Sequence, residues 1–360
     1  MRKRSFRRSI KWLFICLIAV TLLLGPGRSW VRGRPARSGR SQLSAARGKA
    51  ARKRGIEKRR SKESRRATLS ITIVDAVTTE ALPNTPVAVG DDYLTSDANG
   101  AVKVQGIPAG DTTITARANK HVVYEQRHRL AGGDNTLTIA LVAETKAVER
   151  DRLVYQRQAY LTIDDGPSST CTAEVLDILK RQRVPATFFL VGFRAQRRPE
   201  MVRRIFLSNN DIGNHTFSHE YDELYRGSAK NLLASLAKNG RILKSIIGFE
   251  PKIMRPPGGI TGNFRRGYQS SLNWAGYTTV LWNVSTGDGA TRTTSPQMVA
   301  NAKQYLDRLD AKEPAVILMH DVRSPIIKAL PEIIAEVRRR GFQFSTVTED
   351  LRESGVIMGR

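Results

Sequence analysis

From residue 159 onward, short apolar runs of strand length alternate with longer stretches whose apolar residues recur every three or four positions. The runs at 186–191, 278–282, 315–319 and 342–346 read as strands. The stretches 172–183, 199–207, 229–247, 296–309 and 326–340 read as helices. In the first of these, Val175, Leu176, Ile178 and Leu179 share one face. Strands and helices alternating over about 200 residues predict a parallel α/β architecture, open or closed into a barrel. Chemistry in such folds collects at the carboxyl ends of strands. Asp164, Asp165 and His320 each come just after an apolar run.

Upstream the period changes. Leu69, Ile71 and Ile73 alternate with Ser70 and Thr72, and further short runs follow at 85–89, 101–104, 112–118, 121–124 and 136–141. Asn99-Gly100, Pro108-Ala109-Gly110 and Gly132-Gly133 mark turns between them. Many short strands at this spacing predict a small all-β sandwich over residues 68–143. It shows no catalytic constellation. His121 and His128 read as surface or strand residues, and the stretch as a spacer or a glycan-binding module. Residues 144–157 form a charged connector.

Composition changes the picture mainly at the N-terminus. The chain has 360 residues and a net charge of +26. Residues 1–67 hold 22 Lys or Arg against 2 Asp or Glu, a net +20, which leaves +6 for the other 293. Met1 to Lys11 carries six positive charges, and Trp12 to Leu24 is apolar except for Thr21. This reads as an export signal over residues 1–27. This run of 13 residues spans about 20 Å as a helix, short of a bilayer core of ~30 Å. That favours cleavage. The missing Ala-x-Ala site, and Lys11 and Arg28 placed to snorkel, favour an anchor. The expected location is therefore outside the cytoplasm, secreted, wall-associated or anchored facing outward.

Residues 28–67, rich in Arg, Ser, Gly and Ala, predict a disordered basic linker. It reads as a solvated spacer or as an adhesive for an anionic cell-surface polymer or membrane, at ~1 kcal/mol per well-placed charge. Nucleic acid is disfavoured as a partner, because the linker lacks interleaved aromatics that stack on bases. The two cysteines, Cys16 and Cys171, imply no disulfide framework.

The chemistry-bearing residues lie in the second half. Asp164 and Asp165 are adjacent and precede Gly166-Pro167. Two neighbouring carboxylates are costly to bury without a cation or proton to offset them. His215 and His219 offer two imidazoles four residues apart, and His320 is the third histidine of this half. One carboxylate with two imidazoles is a common open site for Zn²⁺ or a similar ion. The second Asp is then left to handle protons.

At this point the chain resembles the polysaccharide deacetylase family over residues 159–350. Thr162 to Pro167 nearly matches the motif Thr-Phe-Asp-Asp-Gly-Pro, with Ile163 in place of Phe. His215 to His219 matches His-Ser/Thr-x-x-His, and Arg255-Pro256-Pro257-Gly258-Gly259 matches Arg-x-Pro. Asp288-Gly289 is a weakened Asp-Trp, and Leu318-Met319-His320 matches Leu-x-His. The resemblance implies a distorted (β/α) barrel as the catalytic domain, over 158–360.

It also implies a set of roles. Asp165, His215 and His219 hold a divalent ion, Zn²⁺ or else Co²⁺ or similar. Asp164 is the general base and His320 the general acid. Arg255 pairs with Asp164, and Asp288 orients His320. A backbone N–H near Gly258 stabilises the oxyanion, and Leu318 lines the pocket for the acetyl methyl. The implied activity is removal of N-acetyl groups from N-acetylglucosamine-containing polysaccharide, peptidoglycan ahead of chitin. The alternative is a wall- or glycan-binding protein with a degenerate site; the full set of ligand and proton-transfer residues argues against it. Gly258 and Gly289 stand where many relatives have Tyr and Trp, which implies a more open or differently shaped sugar site. The upstream turns at Leu82-Pro83, 95–100 and 107–110 resemble carboxypeptidase-regulatory-like (transthyretin-like) modules of extracytoplasmic proteins.

Overall fold

The apolar alternation around Ile71 is buried as a single stripe. In the computed structural model, Ala67, Leu69, Ile71 and Ile73 all point inward from strand β1 (Arg66–Asp75). The structure describes residues 66–144 and 157–347, apart from positions 261, 263, 266, 291 and 312, together with the backbone of Ile357–Met358. The export signal or anchor at 1–27, the basic linker up to residue 65 and the connector at 145–156 lie outside the described residues.

β1 pairs with β4 (Ala101–Pro108) antiparallel and with β7 (Gly133–Leu141) parallel. A second sheet runs β3-β2-β5-β6, made of β2 (Pro86–Val89), β3 (Asp92–Thr95), β5 (Gly110–Ala116) and β6 (Tyr124–Leu130). Their inner faces share one core, in which Leu69, Ile71 and Ile139 meet Val87, Val89 and Ile114. The strand expected at 121–124 begins only at Tyr124, and His121 makes just an isolated bridge to Ala143. β6 is an edge strand with almost every side chain exposed or half-buried, so it carries no apolar alternation to read.

The larger sheet runs β13-β14-β8-β9-β10-β11-β12-β16, with β15 (Gln343–Ser345) also paired to β8. Its members are β8 (Gln158–Asp164), β9 (Thr187–Leu190), β10 (Asp211–Asn214), β11 (Ile253–Met254), β12 (Thr278–Val280), β13 (Val284–Ser285), β14 (Ala315–His320) and β16 (Ile357–Met358). Every pairing is parallel except that of β16. Eight helices of the described residues go with it: α1 (Thr172–Gln182), α2 (Gly192–Arg197), α3 (Pro199–Leu207), α4 (Tyr221–Tyr225), α5 (Lys230–Ile247), α6 (Tyr268–Trp274), α7 (Ser295–Leu306) and α8 (Pro325–Arg339). Among the described residues no helix is long and apolar enough to cross a membrane.

The two faces of this sheet are packed differently. Leu161, Ile163, Phe188, Ile317 and Met319 face the helices. Tyr160, Phe189, Val280 and Val316 face the other way and cluster with one another. Such self-packing requires the sheet to curl. In a flat sheet, β8 and β11 would be three spacings apart, about 14 Å, farther than one arginine side chain spans. Arg255, the residue after β11, nevertheless reaches Thr162 and Asp164 of β8. The curl stops at a half-barrel. Among the described residues the end strands β13 and β16 do not pair with each other, so the expected barrel is open. The strands toward these ends are only two or three residues long, which gives too few ladder bonds to complete a ring.

The all-β part is tied to this sheet by a buried arginine. Arg117 donates to Phe206 O at 3.1 Å, Asn210 O at 2.7 Å and Asp211 Oδ1 at 2.9 Å, and its guanidinium covers the Phe206 ring. Arg203 Nε donates to Thr95 Oγ1 in the same seam. Removing Arg117 strands two carbonyls and a carboxylate. Arg117→Ala is therefore expected to destabilise the chain by roughly 2–3 kcal/mol. Urea denaturation checks this, and an unchanged midpoint would show that the seam carries no stability.

Candidate active site

The curl brings the carboxyl ends of five strands to one place. Asp164 ends β8 and Asp165 follows it; His215 follows β10; Arg255 follows β11. Asp288 lies just past β13, and His320 ends β14. The periodicity of two aims Thr162 and Asp164, and Leu318 and His320, toward the concave side.

Asp165, His215 and His219 offer three ligand atoms that all lie within 4.8 Å of one another. His215 is buried, and its Nδ1–H donates to Arg255 O at 2.7 Å, which leaves a lone pair on Nε2. That nitrogen is 3.4 Å from Asp165 Oδ1, and His219 Nε2 is 3.2 Å from the same oxygen. These are ion-pair distances, yet Asp165 Oδ1 is buried and accepts no hydrogen bond. Burial, then the neighbouring His215, hold the pKa of His219 down to about 4, so the His219 ring is neutral at pH 7. Lone pairs crowded around a carboxylate oxygen repel unless a cation sits between them. Tetrahedral ligands about 2.0–2.1 Å from one ion are themselves about 3.3 Å apart, close to both spacings. The residues fit a divalent cation.

The loop that holds these ligands is strained. Asp165, Thr216 and His219 have φ of 74°, 67° and 62°, a conformation that costs non-glycine residues of order 1–3 kcal/mol each. Hydrogen bonds hold it in place. Asn214 Oδ1 accepts from Thr216 N, Ser235 Oγ accepts from Phe217 N, and Asn239 Nδ2 donates to Asn214 Oδ1 and Leu190 O. Arg194 Nη1 holds Asp165 O at 3.0 Å.

On one side of this cluster, Asp164 Oδ1 accepts from Arg255 Nη1 at 2.8 Å, while its Oδ2 lies 3.8 Å from His215 Nε2. Arg255 is fully buried. It also donates to Thr162 Oγ1, Val280 O and Leu281 O, and it lies over the rings of Phe189 and Trp282. On the other side, His320 Nδ1 donates to Asp288 Oδ1 at 2.9 Å. Asp288 Oδ2 accepts from the His320 backbone N, and its Oδ1 accepts from Thr286 Oγ1. Burial opposes the charge on His320, but Asp288, Asp164 and Asp165 outweigh it and raise the pKa to about 9.

Leu318 is buried two residues before His320 on the same face. Gly258 has φ of 73°, and a Cβ there would come within 2.8 Å of Tyr221 Cε1 and Oη. The space at Gly258 is therefore filled by Tyr221, so of the two expected outcomes the groove is differently shaped there rather than more open. At Gly289 a Cβ would meet His320 Cε1 at 3.5 Å, an ordinary contact. Gly259 N–H is engaged within its own turn, donating to Pro256 O.

Sequence reasoning missed Thr162, Arg194, Asn214, Ser235, Asn239 and Tyr221. One signal was present: Asn239 interrupts the buried stripe Leu232, Leu236, Leu243 and Ile246 of α5. It also missed Asp321, fully buried after His320, whose Oδ2 accepts from Thr172 Oγ1 while Oδ1 has no partner. Burial raises its pKa from 3.8 to about 7, against the Thr172 hydrogen bond. The folded chain thus binds this proton more tightly than the unfolded one. The stability gained from it is full below about pH 4 and is lost as pH rises to about 7. Asp321→Asn keeps an acceptor for Thr172 and should flatten the fall of Tm over that window. A slope equal to that of the parent chain would contradict this.

Known proteins resemble this chain in sequence and fold. The polysaccharide deacetylase family matches residues 154–280. A peptidoglycan-N-acetylglucosamine deacetylase of Bacillus cereus is 33% identical over 195 residues, 53% of this chain and 87% of that one. Peptidoglycan-N-acetylmuramic acid deacetylase PdaC of Bacillus subtilis is 34% identical over 197 residues, 54% of this chain but 38% of that protein. The structure of a Streptococcus mutans CE4 esterase superposes with a TM-score of 0.51 at 28% identity, covering 57% of this chain and 92% of that one. On the site, the fold and these likenesses together, the chain belongs to the polysaccharide deacetylase family, hydrolases that act on carbon–nitrogen bonds other than peptide bonds.

Proposed function

We propose that this chain removes N-acetyl groups from the amino sugars of peptidoglycan, chiefly N-acetylglucosamine, with a divalent cation held by Asp165, His215 and His219. The observation that carries the reading is Asp165 Oδ1, buried without a hydrogen bond between two imidazole nitrogens. The donor set favours Zn²⁺, with Co²⁺ or a similar ion able to replace it. The names of the relatives favour peptidoglycan as the substrate.

When bound, the cation supplies Lewis-acid polarisation of the acetamide carbonyl and lowers the pKa of water. Asp164, fixed by Arg255 through one oxygen, takes the proton of the attacking water with the other. A backbone amide near Gly258 steadies the oxyanion, a contribution of about 3 kcal/mol. Protonated His320, oriented by Asp288, gives its proton to the leaving nitrogen, which would otherwise depart as an unstable amide anion. Leu318 presents an apolar wall to the acetyl methyl.

Incubation with peptidoglycan, chitin oligomers and poly-N-acetylglucosamine side by side tests the reading. Acetate release that is fastest on peptidoglycan and stops with chelator is expected. A metal-loaded chain that releases none from any of the three overturns it.

The proposal places the enzyme outside the cytoplasm because of the apolar run at 12–24 behind a basic N-terminus. In the same reading, Arg28 to Arg66 holds the chain near an anionic cell-surface polymer or membrane. Fractionation of cells carrying the chain with and without residues 1–27 checks the location.

A further inference from the structure

Tyr221 stands out among the aromatics around the site. It opens α4, is 41% exposed, and its ring meets His219 edge-on at 5.7 Å between centroids. An exposed tyrosine is ordinary by itself. The backbone beside it is not. Gly258 and Gly259 both have positive φ, 73° and 72°. A Cβ at Gly258 would strike Tyr221 at 2.8 Å, and one at Gly259 would strike Trp282 Cη2 at 2.9 Å. The glycine pair thus runs between two aromatic rings, and neither position admits a side chain while they stay. Tyr221 is also braced from behind. Tyr225 packs on it at 6.0 Å between centroids, donates its hydroxyl to Pro257 O at 2.8 Å, and stacks on Tyr268.

We propose that Tyr221 is a specificity-determining contact for the amino sugar, forming the wall beside His219 against which the pyranose ring carrying the acetamide lies. The chemistry suits this. A tyrosine ring offers an apolar face to the C–H side of a sugar and a hydroxyl to its polar rim. Held rigid by Tyr225, it binds without a large ordering cost. It supplies aromatic surface where Gly258 brings none, from a position 37 residues earlier in the chain. The inference rests on the deacetylase reading above and adds the residue that selects the ring.

Steady-state kinetics on N-acetylglucosamine oligomers with the metal-loaded full chain test it, alongside metal content and Tm. Tyr221→Ala is expected to raise KM roughly tenfold with kcat within about threefold and the metal retained. Tyr221→Phe, which keeps the ring but loses the hydroxyl, should raise KM less than Tyr221→Ala. Tyr221→Leu, which keeps apolar bulk without the ring, should behave like Tyr221→Ala. Gly258→Ala should also weaken binding, by displacing the ring. Gly258→Ala should raise KM less in the Tyr221→Ala background than in the parent chain, because the clash is gone and only the strain of its positive φ is left. An unchanged KM in Tyr221→Ala overturns the inference. So does loss of metal and kcat together, which would mean that Tyr221 only props His219. A parent chain that is inactive on every glycan would instead sink the deacetylase reading, so the two failures are distinguishable.

Discussion

Replacing His215 with alanine is expected to strip the cation from the site and lower acetate release by about three orders of magnitude or more. The size follows from how His215 is held. It is buried, its Nδ1–H is locked on Arg255 O, and its Nε2 is turned to Asp165. Among the described residues no other imidazole can take its place, since His320 is committed to Asp288. A chelated parent chain should show the same loss and recover on adding Zn²⁺ or Co²⁺, whereas the variant should not recover. Metal analysis and acetate assays on the two proteins check this, and a variant that keeps both metal and turnover would remove His215 from the site.

Asp288→Asn is expected to have the second largest effect. In the proposed reaction His320 can act as an acid only while protonated, so activity should fall as pH rises through its pKa. That value stands near 9 because Asp288 bonds to and charges the ring, with help from Asp164 and Asp165, against the cost of burial. A cation on Asp165 offsets part of this, so the loaded enzyme should lose activity somewhat below pH 9. Without the Asp288 charge the alkaline limb moves to lower pH. At pH 8 kcat should drop by about 10²–10³. The profile of kcat against pH reads both effects. An alkaline limb that stays in place would show that Asp288 does not set the proton affinity of His320.

The residues of the cation site were legible because their chemistry is local in the sequence, whereas Asp288 was legible only through the resemblance of Asp288-Gly289 to the family's Asp-Trp motif. A paired carboxylate after an apolar run, two imidazoles four apart and a histidine ending a strand need no tertiary knowledge to be noticed. The parallel sheet was legible for a related reason: Phe188, Ile317 and Met319 sit in runs with no competing pattern. What stayed hidden depends on packing between distant segments. Arg117 reads as one more surface arginine until its carbonyl partners arrive from about 90 residues away. Gly258 reads as lost aromatic surface until Tyr221 is folded against it. Asp321 reads as a loop carboxylate until burial and Gly166 close over it. The openness of the sheet was equally unreadable, since two-residue strands such as β11 and β13 leave no periodic signal.

Metal titration of the apo chain, with acetate release followed at each addition, tests the account most directly. Turnover is expected to rise in proportion to added Zn²⁺ or Co²⁺ and to level off at one ion per chain. Asp165→Ala and His219→Ala chains are expected to bind none and release none. Full turnover from the metal-free chain, or an equal affinity in those two variants, would contradict it.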